Sequence, residues 1–126
     1  VKVVISGSRG FTDLGLIERV IDRLIERRDH VLVGDAPTGV DRMVAEYVSF
    51  REDDVYDWDR YDADWDQYGK RAGHLRNEWM IHDGEALIAI FAPGPRSPGT
   101  SNAVMNARRK GIPIAIYHEG VWEGSL

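Results

Sequence analysis

The sequence contains no cysteine among its 126 residues. That excludes a disulfide framework, zinc-finger clusters and a thiol nucleophile. No apolar run approaches the ~20 residues of a membrane helix, and the opening Val1–Ser6 stretch is too short for a signal peptide. A cytoplasmic location with no membrane partner is the expectation. Basic residues are outnumbered: 16 Lys and Arg stand against 21 Asp and Glu, for a formal charge of -5. That balance argues against nucleic acid as a partner, because a general grip on it is electrostatic. A small anionic ligand stays compatible with it, since screening over roughly 8–10 Å makes nearby donors count for more than total charge. Two nucleotide-loop patterns are also missing. The spacing Gly7-Ser8-Arg9-Gly10 breaks GxGxxG, and Val40 follows Gly39 where a P-loop needs lysine. His30, His74, His82 and His118 lie in separate segments without HExxH spacing, so no metal and no cofactor is expected.

What is present is the composition of a soluble globular protein, 43% hydrophobic and 29% charged. A length of 126 residues fits one domain spanning 1–126. Val1 to Ile5 is a short β-branched run that stops at Ser6-Gly7-Ser8-Arg9-Gly10, which reads as a buried strand feeding a glycine-rich turn. Leu14, Ile17, Val20, Ile21, Leu24 and Ile25 recur at helical spacing, predicting a helix from about Leu14 to Arg28. His30 to Val33 is the second strand, and Val40, Met43, Val44, Tyr47 and Val48 mark the second helix. A weaker third strand is expected at Val55 to Trp58, a loop from Arg60 to Gln67 and a helix from about Tyr68 to Asp83. Ala86 to Phe91 is the fourth strand, Thr100 to Lys110 a helix capped by Gly111, and Ile112 to Tyr117 the fifth strand. The last nine residues are expected as a surface extension. Strands apolar on both faces and alternating with helices specify an α/β fold: a single Rossmann-like, doubly wound parallel sheet of order 3-2-1-4-5.

Such sheets bind ligands beyond the carboxyl ends of their strands, at the switch point between the first and fourth. Three glycine-rich turns fall there: Gly7-Ser8-Arg9, Gly34 through Asp41, and Pro93 through Asn102. Glycine admits a ligand close to the backbone, and free N–H groups at a helix start hold an anion. Ser8, Thr38, Thr100 and Ser101 add hydroxyls, and Arg9 adds a fork suited to phosphate. Any one such turn is ordinary chain economy; three at one end point to a site. Arg76, Met80 and Asp83 share a helix face, with Asn77 adjacent, and surface ion pairing is the plain alternative for Arg76. Lys70, Arg71, Arg108, Arg109 and Lys110 read as solvated helix positions. Glu52 to Asp66 holds eight carboxylates and one basic residue. A calcium loop opening at Asp62-Asp64-Asp66 would need glycine next and glutamate at its twelfth position, where the chain has Gln67 and Gly73. A solvated acidic loop is the better expectation. Trp65 would cover the pocket mouth or simply pack, and Trp79 or Trp122 would suit a subunit interface.

Several of these stretches carry a resemblance. Val4-Ile5-Ser6-Gly7-Ser8-Arg9-Gly10-Phe11-Thr12-Asp13, Gly34-Asp35-Ala36 with Gly39-Val40-Asp41, Ala63-Asp64-Trp65 with Gly69-Lys70 and Ala72-Gly73, Arg76-Asn77 with Met80, and Gly99-Thr100 resemble the YspA/YpsA-related branch of the SLOG superfamily. That superfamily also holds the DNA-processing protein DprA and the Lonely Guy phosphoribohydrolases. The resemblance runs from about residue 3 to residue 116. It implies a pocket for a nucleotide or a nucleotide derivative, lined by Gly7, Ser8, Arg9, Gly34, Asp41, Arg76, Gly99 and Thr100, with Thr38, Gly39, Trp65, Asn77, Ser101 and Asn102 as further candidates. It also implies a homo-oligomer with pockets near the interface. Lonely Guy enzymes carry a catalytic glutamate in PGGxGTxxE; here Ala103 stands in that place and Pro98 precedes the Gly-Thr pair. Cleaving an N-glycosidic bond uses a carboxylate to activate water or stabilise the developing cation.

The leading expectation is therefore a binding protein for a phosphate-bearing, nucleotide-derived molecule. It would serve as a sensor, or as a sponge for a signalling nucleotide in phage–host conflict. Charge-assisted hydrogen bonds contribute about 1.5–3 kcal/mol each, while association costs about 4–15 kcal/mol. Phosphate contacts alone fall short, so a ring must also be buried, with Phe11, Trp65 and Tyr68 as candidates at about 1–3 kcal/mol per stack. A hydrolase with Asp35, Asp41 or Asp83 replacing the glutamate is the alternative from a different class. An interaction module with an empty pocket is the third.

Overall fold

Val3, Val4 and Ile5 are all fully enclosed although they point to alternate faces, so the first strand has to lie inside a sheet covered on both sides. The computed structural model describes residues 1–51 and 57–126. In it β1 (Lys2–Gly7) runs parallel to β2 (His30–Gly34) on one side and β4 (Ala86–Ile90) on the other. β3 (Trp58–Tyr61) extends the sheet beyond β2 and β5 (Ile114–His118) beyond β4, both in parallel register. The order is β3-β2-β1-β4-β5-β6, the expected Rossmann-like arrangement with one strand added.

Each face of the sheet carries two long helices. Val3, Ile5, Val31 and Val33 meet the apolar stripes of α1 (Leu14–Glu26) and α2 (Val40–Phe50). Val4, Leu32, Leu87 and Ala89 meet Met80 and Ile81 of α4 (Ala72–Asp83) and Ala103, Val104 and Ala107 of α5 (Pro98–Lys110), once the short α3 (Trp65–Tyr68) has been passed. Local chemistry sets the helix ends. Asp13 accepts a hydrogen bond from Leu16 N–H at the start of α1, and Gly111, at φ 79°, closes α5 in the left-handed conformation. Among the described residues no helix is long and apolar enough to cross a membrane.

Four expectations need correction. Of the third strand expected at Val55 to Trp58, Val55 and Tyr56 lie outside the described residues, and the strand that is described starts at Trp58. β3 is an edge strand whose Asp59 and Arg60 are exposed, so it never needed the apolar run that the expectation relied on. The expected loop from Arg60 to Gln67 contains the end of β3 and the start of α3, where Asp64 caps by accepting from Gln67 N–H. A 3-10 turn at Gly69–Arg71 then leads into α4, which begins at Ala72 and not at Tyr68. The expected C-terminal extension forms β6 (Val121–Glu123), antiparallel to β5. Its signal was Glu119-Gly120, both at positive φ, the two-residue turn that a tight hairpin favours.

One glycine fixes how the first two turns meet. Gly39 sits at φ 76° directly under the first turn, where a Cβ would overlap the carbonyl oxygen of Ser8 and the Cα of Arg9. Gly69 has φ 56° but open space around it. Gly39→Ala should therefore lose about 2 kcal/mol or more of stability, adding backbone overlap to the conformational cost. Gly69→Ala should lose only about 1 kcal/mol. Urea melts of both variants check this, and equal losses would contradict the packing argument.

Candidate functional site

The turns after β1, β2 and β4 meet at Ser8, which is 5% exposed. Its N–H donates to Ile90 O at 3.0 Å, and its carbonyl accepts from Phe11 N–H and Val40 N–H, both at 3.3 Å. Its hydroxyl accepts from Ala92 N–H at 3.0 Å and shares a proton with the Ser97 hydroxyl at 3.1 Å. The rim of the site is thus tied to the sheet before any ligand arrives.

Beside these turns lies a cavity of about 510 Å3, inside the roughly 300–1,000 Å3 of ordinary small-molecule sites. One wall is the first turn, from Gly7 to Gly10. A second is the start of α5, from Ser97 to Thr100. The third is α4, through His74, Arg76, Asn77 and Met80, with Trp65 and Lys70 at its approach. The α5 wall is open to an anion: Pro98 occupies the first helical position, no side chain caps the helix, and its first turn holds no acid. The N–H groups of Gly99 and Thr100 have no acceptor among the described residues. Asn77 fixes that turn from across the cavity, its Nδ2 donating to Gly99 O at 3.1 Å and to Asn102 Oδ1 at 3.4 Å.

The cations of the cavity are under-used by the protein. The side chains of Arg9 and Lys70 line it, with the His74 ring beside them, and none of these side chains forms a hydrogen bond or an ion pair among the described residues. Arg76, only 8% exposed, donates Nη1 to Asp35, while its buried Nε has no hydrogen-bond partner. Asp35 in turn accepts from Ala63 N–H through its other oxygen at 3.2 Å, so it links Arg76 to the segment that carries Trp65.

Of the expected site residues, the cavity brings together Gly7, Ser8, Arg9, Asp41, Trp65, Arg76, Asn77, Gly99 and Thr100. Gly34 and Gly39 lie behind its lining. Gly34 backs the Asp41 carboxylate and the Arg76 guanidinium, and a Cβ there would stand 2.7 Å from Asp41 Oδ2. Thr38, exposed at the surface, and Ser101 are not part of the lining. Asn102 stands behind Asn77 as a hydrogen-bond partner. Asp83 accepts from the Tyr61 hydroxyl, outside the cavity. Phe11 packs edge-on against Tyr117 and Tyr68 against Trp79, which leaves Trp65 as the ring at the cavity. Lys70, read as a solvated position, lines the cavity, as do the unexpected His74 and Ser97. Only their place next to residues of other elements could have marked them.

Two carboxylates of the acidic stretch have local partners: Asp62 pairs with Arg60 at 2.7 Å, and Asp64 caps α3. Ala103, where the Lonely Guy pattern has glutamate, is fully buried on the core face of α5.

The profile of the YspA, cpYpsA-related SLOG family matches residues 1–68. The chain belongs to that family. The matched half holds the first turn, the β2–α2 turn and Trp65; the α4 and α5 walls lie beyond it. Membership points to a nucleotide-related role on a Rossmann-like fold. The chain is also similar to the Gene 61 protein of Mycobacterium phage D29, 28% identical over 120 residues, covering 92% of this chain and 95% of the phage protein. No solved structure matches it significantly.

Within this SLOG-family cavity Asp41 is the one lining carboxylate among the described residues. It is 6% exposed, and burial pushes its carboxyl up to about 6. The Ala36 N–H bond and the Arg76 and Arg9 charges oppose that rise, while Asp35 adds to it. Because the folded value exceeds the ordinary 3.8, the folded state holds the proton more tightly than the unfolded state. The associated stability is complete below about pH 4 and is lost as pH rises through about 6. Relative to Asp41→Asn, the unliganded protein should lose on the order of 3 kcal/mol between those limits, at 1.36 kcal/mol per pKa unit. Denaturant melts of both proteins from pH 4 to 7.5 measure the difference; parallel curves would place the titrating group elsewhere.

Proposed function

We propose that this protein binds a phosphate-bearing, nucleotide-derived small molecule in the cavity between the first turn, α4 and α5, as a sensor or sequestering protein. One observation carries the reading: cationic side chains without ion pairs face the same cavity as the uncapped start of α5. A protein that leaves guanidinium and ammonium groups unpaired beside open backbone N–H donors has the complement of a phosphate group. Trp65 and Met80 supply apolar surface for a ring, which the affinity arithmetic requires.

Binding without turnover is the reading the acids favour. The Lonely Guy glutamate is replaced by buried Ala103, Asp35 is committed to Arg76 and Ala63, and Asp83 bonds Tyr61. Asp41 alone favours hydrolysis, because a carboxyl near 6 inside a cavity is poised for proton transfer. The two readings separate cleanly. Thermal-shift measurements with AMP, ADP, NAD, ADP-ribose, cyclic ADP-ribose isomers and cyclic dinucleotides should give stabilisation by at least one. Chromatography after overnight incubation should return that ligand intact; a released base would assign catalysis instead.

Arg9→Ala should weaken the bound nucleotide about 10- to 100-fold, the equivalent of one charge-assisted hydrogen bond, with little change in melting temperature of the empty protein. Calorimetric titration of the variant checks this. Unchanged affinity, or no stabilisation by any ligand of the panel, would overturn the proposal.

A further inference from the structure

Two helices begin at the cavity, and their first turns differ in charge. α5 starts with proline, carries no acid there and leaves the N–H groups of Gly99 and Thr100 without acceptors among the described residues. α2 is already satisfied: Val40 N–H donates to Ser8 O, and Asp41 places a carboxylate in the first turn. Asp41 Oδ2 is fixed by Ala36 N–H at 3.1 Å. Its Oδ1 makes no hydrogen bond among the described residues, although the residue is more than nine-tenths buried and lines the cavity. Arg76, the nearby cation, gives Nη1 to Asp35 and forms no ion pair with Asp41. The start of α5 therefore presents donors without acceptors, and Asp41 Oδ1 at the start of α2, within reach of the Arg9 and Arg76 charges, is an acceptor that no group of the protein fills among the described residues.

We propose that Asp41 is the specificity-determining residue of this site: it accepts a hydrogen bond from a hydroxyl or amino group of the ligand, whose phosphate lies at the first turn of α5. This rests on the nucleotide reading above and adds the ligand's direction and a rule of exclusion. A second phosphate at the α2 end would face a buried carboxylate and be rejected, whereas a free sugar hydroxyl or a ring amino group would complete it.

Calorimetric titration at pH 7.5 with AMP, adenosine 3′,5′-bisphosphate, 2′,3′-dideoxy-AMP and IMP tests the assignment. AMP should bind at least tenfold tighter than the bisphosphate. Either the dideoxy compound or IMP should bind about tenfold weaker than AMP, and which one does so tells whether the donor belongs to the sugar or the ring. Asp41→Asn should narrow the gap between AMP and the bisphosphate at least fivefold. A structural loss would weaken both ligands alike, so the ratio separates the two effects, and the wild-type series stands even if the variant folds poorly. A bisphosphate as tight as AMP, or full affinity for both the dideoxy compound and IMP, would overturn the role of Asp41 while leaving phosphate binding intact. Failure of all four to bind would overturn this assignment, while the reading of the site stands or falls with the wider panel of nucleotides above.

Discussion

Ser8 gives its N–H to Ile90, its carbonyl to Phe11 and Val40 and its hydroxyl to Ala92 and Ser97, and the geometry of the cavity depends on that distribution. The partners come from three turns that are far apart in sequence. Gly39 lets the α2 turn come up against Ser8 and Arg9, and Gly7 leaves room for Val40 on the other side. With its own polar groups committed, Ser8 holds the rim in place and leaves the ligand to its neighbours. A site assembled in this way is organised before binding, so little of the binding energy is spent on ordering its backbone.

Asp35 does comparable work on the opposite wall. A carboxylate at the end of β2 would be an obvious candidate for chemistry, yet one oxygen holds Arg76 and the other holds Ala63 N–H. This sets the direction of the Arg76 guanidinium and anchors the segment leading to Trp65. Asn77 completes the arrangement by fixing Gly99 O, so that the first turn of α5 is positioned from α4. Two polar residues buried on α4, Arg76 and Asn77, thus interrupt an otherwise apolar face because the cavity needs them there.

That interruption also explains what could be read from the sequence. β1, β2 and β4, with the helices around them, were legible because burial on two sides leaves an apolar run that no surface element imitates, and the half-buried β5 keeps enough of such a run in Ile114, Ala115 and Ile116. The glycine turns were legible because positive φ and close backbone approach leave few other residues possible. β3 was misplaced because an edge strand is held by backbone pairing to β2 and needs few apolar side chains. The start of α4 was misplaced because its buried polar residues blur the 3.6-residue period. Ser8 was legible as a lining residue but not as the hub of hydrogen bonds, Lys70 only as part of the Gly69-Lys70 string, and His74 at the cavity not at all. They depend on neighbours from other elements, and a single sequence does not record such proximity.

The acidic balance of the chain bears on the size of the ligand. The exposed Asp59 belongs to β3 and Asp57 precedes it, while Asp62, Asp64 and Asp66 belong to the segment around Trp65, next to a cavity where Arg9 and Lys70 are unpaired and Arg76 pairs with Asp35. Screening at physiological salt limits each charge to about 8 Å, so a small anion inside the cavity responds to Arg9, Lys70 and Arg76. A polyanion long enough to leave the cavity past Trp65 would run along those carboxylates and meet repulsion over its remaining length. On the proposed reading, the same surface that makes the protein acidic overall would disfavour a nucleic-acid chain and leave the cavity to a small anion.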